Sequence, residues 1–238
     1  MVRMLQPCRR SAFVLLLLQA VAIAAPKPHI ITFGKWTTVP WTAEPGVGAE
    51  ARSVSLKVRP LLIDARVKEF TFGPVHDVTD RLFVVRRAFR VNDNLPQEPA
   101  LSPHWQWQQA GWLLVDRLTG HVSSLNLPDF DAVYSAATWY RDYVAYCGFS
   151  DDGRKLYAVV AQINRRKPVL KKSLESPPRE NSEVRDAAAG ATCAVPSWQR
   201  SPSRVTFEST GGTKQTFAIR SHSVDLITDE DEDAEASK

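Results

Sequence analysis

Through most of this chain, apolar and polar residues alternate, and that period of two constrains the fold more than any other feature. In "SVSLKVRPLLID" (53–64), Val54, Leu56 and Val58 alternate with Ser55, Lys57 and Arg59. Successive strand side chains point to opposite faces, so such a run reads as a strand with one face buried. "VKEFTF" (67–72) repeats the pattern with Val67, Phe70 and Phe72. "DRLFVVRRAFRV" (80–91) extends it with Leu82, Val84 and Phe89 inward, past a break near Arg86 and Arg87. Further strands are expected over 29–34, 112–116, 121–127, 142–149, 155–163, 167–174, 204–209, 214–221 and 223–228. Long patterns of period 3.6 are nearly absent, and one short helix is expected in "DAVYSAATWYR" (131–141). The expected fold class is all-β, built from antiparallel hairpins.

Turn chemistry supports those strands. "DDGR" (151–154) stands between two apolar runs, and Gly153 supplies a positive φ at little steric cost, so residues 142–163 read as a hairpin. "LTGH" (118–121) and "TGGT" (210–213) read the same way. Three stretches read as loops from their Pro, Gly, Asn and Ser content: 40–52, 92–103 and 175–197, the last low in aromatics and expected to be mobile.

The first 24 residues carry the marks of a secretory signal peptide. Arg3, Arg9 and Arg10 precede the apolar run "SAFVLLLLQAVAIAA", and Ala22 and Ala24 occupy the small-residue positions before a cut after Ala24. The run is shorter than the ~20 residues a membrane-spanning helix needs, and no second apolar segment follows. The expected product is exported, periplasmic or extracellular, of bacterial style, with no transmembrane segment. Residues 25–228 form one expected β-rich domain. Loss of the three arginines takes the formal charge from +4 to +1, and the last ten residues, "DEDEDAEASK", hold six acids against one lysine. The body between therefore carries about +6, followed by an acidic tail (229–238) expected to be disordered. Processing removes Cys8 and leaves Cys147 and Cys193, an even pair and thus a disulfide candidate in an oxidising compartment. No ligand spacing for zinc appears, and no metal or other cofactor is expected.

"WLLVDRLTGHVSSL" (112–125), then Trp139, then "FSDDGRKLYAVVA" (149–161) follow an ordered pattern. An apolar strand ends in Asp, an x-x-T-G turn leads to a return strand, and a Trp-bearing connection precedes a hairpin with an S-x-D-G turn. This order resembles a β-propeller blade of the WD-repeat or TolB-like kind. "PSRVTFESTGGTKQTFAIRSHSVDL" (202–226) is similar to a weaker second copy. The resemblance implies a propeller-like arrangement. It covers about 60 residues, and about a dozen expected strands make only three blades, fewer than propellers use. The N-terminal third shows no copy. A β-sandwich or barrel remains open beside it.

Two surface features are candidates for recognition. "NRRKPVLKK" (164–172) concentrates Arg165, Arg166, Lys167, Lys171 and Lys172 around Pro168, which suits an edge strand. Such a patch binds an anionic polymer or an acidic protein surface, or else protects an exposed edge from aggregation. In "HWQWQQAGW" (104–112), Trp105 and Trp107 share one strand face and Gln106 and Gln108 the other, forming either a stacking platform or the closure of a core. Trp36 and Trp41 flank a loop in "WTTVPW" that is expected to pack nearby. Among carboxylates, Asp129 and Asp131, with Asp151 and Asp152, suit acid–base work, Ca²⁺ or simple turn formation. Ser150 lacks a nucleophile elbow, and His76 and His121 have no recognisable catalytic partner. No nucleic-acid-binding pattern is present. The expectation is a non-catalytic interaction or structural module whose partner is an envelope protein or anionic polymer. The competing expectation is a hydrolase or lyase acting on an envelope polymer.

Overall fold

The computed structural model describes residues 28–42, 53–92, 94, 102–150, 155–174, 193–201, 203–209, 214–220 and 223–227. The expected signal segment, the turns at 151–154 and 210–213, the greater part of the 175–197 loop and the acidic tail lie outside them. Strand makes up 68% of the described residues and helix none, so the fold is all-β.

The first sheet comprises β1 (Ile31–Phe33), β2 (Thr37–Thr42), β3 (Ser53–Ile63), β4 (Arg66–Asp77), β5 (Leu82–Asn92), β6 (Trp105–Asp116) and β7 (Val122–Leu125). Its order is β1-β3-β2-β6-β5-β4, with β7 on β6, and β3 also pairs with β4. Strands β2 to β6 therefore close into a ring. The closing contact is parallel, with Trp41 opposite Trp107. Val39, Leu56, Val58 and Ala88 pack at that end, with Trp41, Phe70, Phe72 and Trp107 around them. Leu61, Phe83, Val85, Leu113 and Val115 form a separate cluster on the opposite strand face, flanked by Ile31 and Phe33 of β1.

Two four-stranded antiparallel meanders follow. The second sheet is β8 (Ala137–Tyr140), β9 (Tyr143–Phe149), β10 (Leu156–Gln162) and β11 (Leu170–Leu174); the third is β12 (Ser197–Arg200), β13 (Ser203–Glu208), β14 (Lys214–Arg220) and β15 (Ser223–Ile227). Leu156 pairs with Phe149 and Gln162 with Tyr143, so residues 142–163 are a hairpin as expected. On one face of this hairpin, Val144, Tyr146, Val159 and Ala161 pack against Val84 and Trp112 of the first sheet. On the other, Ala145, Cys147, Ala158 and Val160 pack against Val205, Phe207, Phe217 and Ile219 of the third. The second sheet is thus the middle layer of three.

Several elements differ from expectation. Residues 131–141 form no helix. Asp131 accepts hydrogen bonds from the amides of Val133 (2.7 Å) and Tyr134 (2.8 Å), which holds a turn, and Ala137–Tyr140 is strand β8. Helix propensity there yields to pairing with β9. Thr37–Thr42 is strand β2 rather than a loop; Trp41 lies opposite Trp107, whereas Trp36 stands outside the strand against Arg59. Ser197–Arg200 forms strand β12, which was not expected, held by Trp198 opposite Val205.

Cys147 and Cys193 form a disulfide with Cα atoms 6.3 Å apart. Cys193 also bridges to Ser209, so the bond fastens the middle sheet to the end of β13. Nearby, Trp198 donates from Nε1 to the Thr138 carbonyl (3.2 Å), and Thr138 donates to the Pro196 carbonyl (2.8 Å). The glycine at 148 is required by close approach. A Cβ there would lie 3.0 Å from the Cβ and carbonyl oxygen of Asp129 and from Val159.

The "DRLTG" turn between β6 and β7 hangs on one carboxylate. Asp116 accepts from the amides of Leu118 (2.8 Å) and Thr119 (3.3 Å) and pairs with Arg81. The Arg81 hydrogen bond, helped by those amides, holds the Asp116 carboxyl well below the usual carboxylate range.

Two outcomes follow. The disulfide closes a loop with a sequence separation of 46, for which chain entropy gives about 4 kcal/mol. Cys193→Ser, or thiol reduction, is expected to lower the denaturation free energy by roughly that amount; an unchanged midpoint would show that the bond does not carry the interface. For Asp116, a lowered folded pKa adds stability above the unfolded value near ~4 and loses it as pH falls toward the folded value. Asp116→Asn is therefore expected to flatten the acid limb of a melting-temperature profile below about pH 4. A parallel limb in both proteins would refute that role.

Candidate functional site

Strand alternation decides what the basic cluster can do. β11 is the edge of the second sheet, with Lys171 opposite Val159 and Lys172 opposite Ala158. Neighbouring strand residues face opposite ways, so these two lysines leave the strand on different sides. Lys171 lies 2.8 Å from a carboxylate oxygen of Asp129 and 4.5 Å from the Tyr157 ring centre. Lys172 stands 5.7 Å from the Phe217 ring centre, on the side of the third sheet. Arg165, Arg166 and Lys167 are exposed on the connection between β10 and β11, where Asn164 takes a φ of +68° and Arg165 donates its amide to Gln162 (3.1 Å). Pro168 precedes the edge strand rather than sitting in it. The five cations form an exposed trio with Lys172 on one flank, while Lys171 is committed to Asp129.

The tryptophan pair also divides. Trp107 is half-buried, edge-on to Phe70 at 5.1 Å. Trp105 is 55% exposed. The Arg90 guanidinium stands 5.5 Å from the Trp107 ring centre and 5.6 Å from that of Trp105. One indole therefore closes the ring of strands and the other faces solvent.

The carboxylates near this region hold structure. Asp131 caps the 132–134 turn, and its own amide donates to the Ser135 hydroxyl oxygen (3.0 Å). Ser135 in turn donates to the Cys147 carbonyl (2.7 Å). Asp129, at φ +55°, accepts the Phe149 amide on its carbonyl (2.9 Å) and Lys171 on its side chain. Tyr146 donates to the Pro128 carbonyl (2.6 Å); burial, then the Asp129 charge, push its hydroxyl pKa up, so it stays neutral. Asp151 and Asp152 lie outside the described residues, as does His222. His76 stacks on Trp139 (5.6 Å) and donates from Nε2 to the Arg141 carbonyl (2.8 Å), a tie between β4 and the β8–β9 turn. Among the described residues, no three His, Cys, Asp or Glu side chains gather as a metal site, and no helix is long and apolar enough to cross a membrane.

Two arginines that spacing alone did not single out occupy special places. Arg86 lies on the Val84 face of β5, turned into the junction between first and second sheets. Its guanidinium donates to the carbonyls of Ala132 (2.6 Å) and Ala110 (3.2 Å) and sits 4.7 Å from the Phe72 ring centre and 5.4 Å from that of Phe130. Burial lowers its pKa to about 10, offset in part by Asp131. Arg59 is held between the rings of Phe33 and Trp36 beside a surface hollow. For Arg86 the signal was its place in the register of Leu82 and Val84, where a cation needs an aromatic or carbonyl host; Arg59 lies in the polar register with Ser55 and Lys57, which gave none.

No protein-family model, curated protein or solved structure matches this chain.

Arg86→Met is expected to lower stability by about 2 kcal/mol, because two inward carbonyls lose their donor while the apolar stem is kept. Chemical denaturation measures it. A loss below ~0.5 kcal/mol, typical of surface changes, would show that Arg86 does not tie the 127–135 turn to the first sheet.

Proposed function

We propose that the protein is an exported recognition module that holds an anionic partner, an envelope protein or an acidic polymer, against the basic edge of its second sheet. The apolar segment after Arg3, Arg9 and Arg10 supports export to a periplasmic or extracellular, bacterial setting. So does the Cys147–Cys193 disulfide, which suits an oxidising compartment. The two meanders, packed face to face with β8 beside β12, support a scaffold role for the stacked sheets.

One observation carries the recognition reading. Arg165, Arg166 and Lys167 are exposed together beside the edge strand β11, and no ion pair among the described residues neutralises them. An acidic partner gains charge attraction there, and an extended segment gains backbone pairing with β11. Lys172 lies on one flank. Trp105 is a second, separate contact on the first sheet. The competing reading, a hydrolase or lyase using Asp129 and Asp131, finds both carboxylates already engaged in holding the turn and Lys171.

The test is in-cell crosslinking of the tagged protein, read by mass spectrometry, beside Arg165→Glu/Arg166→Glu. A discrete partner is expected with the wild type, reduced at least about tenfold in the variant, in keeping with ~1.4 kcal/mol or more of lost charge complementarity. These are exposed positions, so melting temperature should stay near that of the wild type. Equal capture by both proteins would remove the basic edge as the contact.

A further inference from the structure

The outer face of the first sheet carries a hollow of about 610 Å³ lined by Trp36, Thr38, Lys57, Arg59, Gly73 and Pro74. That is the size of a small-ligand site. Its walls are built by register. Thr38 of β2 lies opposite Lys57 of β3, and Lys57 and Arg59, two residues apart on one strand, share the face. Gly73, at φ +69°, leaves the floor open, because a Cβ there would meet no atom within 4 Å. Trp36 is 48% exposed at the rim.

Among the described residues, the charge in this hollow has no ion-pair partner. The Arg59 guanidinium is clamped 4.0 Å from the Phe33 ring centre and 4.3 Å from that of Trp36. Its Nε is buried without a hydrogen-bond partner. No described residue forms an ion pair with Arg59 or with Lys57. Burial lowers the Arg59 pKa. A guanidinium set close to two rings is restrained in position, and its Nη groups can present the paired donors that a carboxylate matches. The neighbouring ammonium adds a point charge, the Thr38 hydroxyl gives and accepts hydrogen bonds, and the exposed indole offers an apolar surface to the C–H face of a sugar ring. The combination of anion receptor and indole selects a ligand that is charged at one end and a flat polyol at the other.

We propose that this hollow binds a carboxylated sugar, a uronic acid unit of a saccharide, with its carboxylate on Arg59 and Lys57 and its ring against Trp36. The site lies on the first sheet, apart from the basic edge of the second, and stands without it.

The experiment is isothermal titration of the purified protein with digalacturonate, with its neutral counterpart digalactose, with polygalacturonate and with AMP. Digalacturonate is expected to bind at least about tenfold tighter than digalactose, the scale of one charge-assisted hydrogen bond. Arg59→Gln should weaken it by about tenfold or more, Trp36→Ala similarly, and Lys57→Gln by about fivefold. Lys57 is exposed, so its variant keeps the test valid if loss of Arg59 loosens the fold, which circular dichroism would reveal. Arg165→Glu/Arg166→Glu should bind the sugar as the wild type does, which separates this site from the basic edge. Binding of polygalacturonate, per site, as tight as the dimer supports recognition within a chain; binding of the dimer alone supports recognition of a free end. Absence of digalacturonate binding, equal affinity for digalactose, tighter binding of AMP, or wild-type affinity in both Arg59→Gln and Lys57→Gln would each overturn the proposal.

Discussion

The β9–β10 hairpin has no solvent face, and the rest of the architecture depends on that. Its residues Val144 to Gly148 and Ala158 to Ala161 are buried in unbroken runs. Each fully buried valine contributes about 1.5–3 kcal/mol only if apolar surface covers it. Two covers are therefore needed, one on each side. The first sheet supplies Val84 and Trp112 to one face, and the third supplies Val205, Phe207 and Phe217 to the other. The Cys147–Cys193 bond secures the second of these interfaces and the Arg86 guanidinium spans the first.

The outer layers then face the opposite problem, since each has a second face to account for. The third sheet solves it chemically. Its outward register places Thr206 opposite Thr216 and Glu208 opposite Lys214, and the two threonine hydroxyls bond at 3.0 Å. The first sheet solves it geometrically, by curling until β2 meets β6 and one end becomes a ring with its own apolar cluster. Curling leaves the other face outward over β2, β3 and β4, and that is where Lys57 and Arg59 project.

What was legible from residue order follows the same physics. β9, β10, β13 and β14 carry their partner information locally, as apolar runs bounded by turn residues, and they lie where alternation places them. β2, β8 and β12 do not. Pro40 within β2 reads as a breaker, "ATWY" in β8 sits among helix-compatible alanines, and "SWQR" in β12 has a single apolar residue. Each becomes a strand because the next strand in the chain supplies its ladder: β3, β9 and β13. The basic cluster was legible as chemistry, from five cations in nine residues. Its division was not, because the sign of each side chain's direction depends on where β11 begins.

The arginines bring these threads together, for some are held by carboxylates, some by rings, and Arg87 and Arg117 by both. Arg81, Arg87 and Arg117 pair with Asp116, Glu69 and Asp77, and their charge is spent within the fold. Arg59 and Arg90 lie against aromatic rings, and Arg86 against rings and carbonyls. A ring face orients a guanidinium without neutralising it. The aromatic residues of the first sheet thus do more than close its core, because they fix cations in place with their charge intact. Arg86 spends its donors on carbonyls between two sheets, which makes it a structural tie. Arg59 does not, and Lys57 stands beside it on an open floor. The first sheet thus holds Arg81, Arg87 and Arg117 on carboxylates, while Arg59 and Arg90 rest on rings with no ion-pair partner among the described residues.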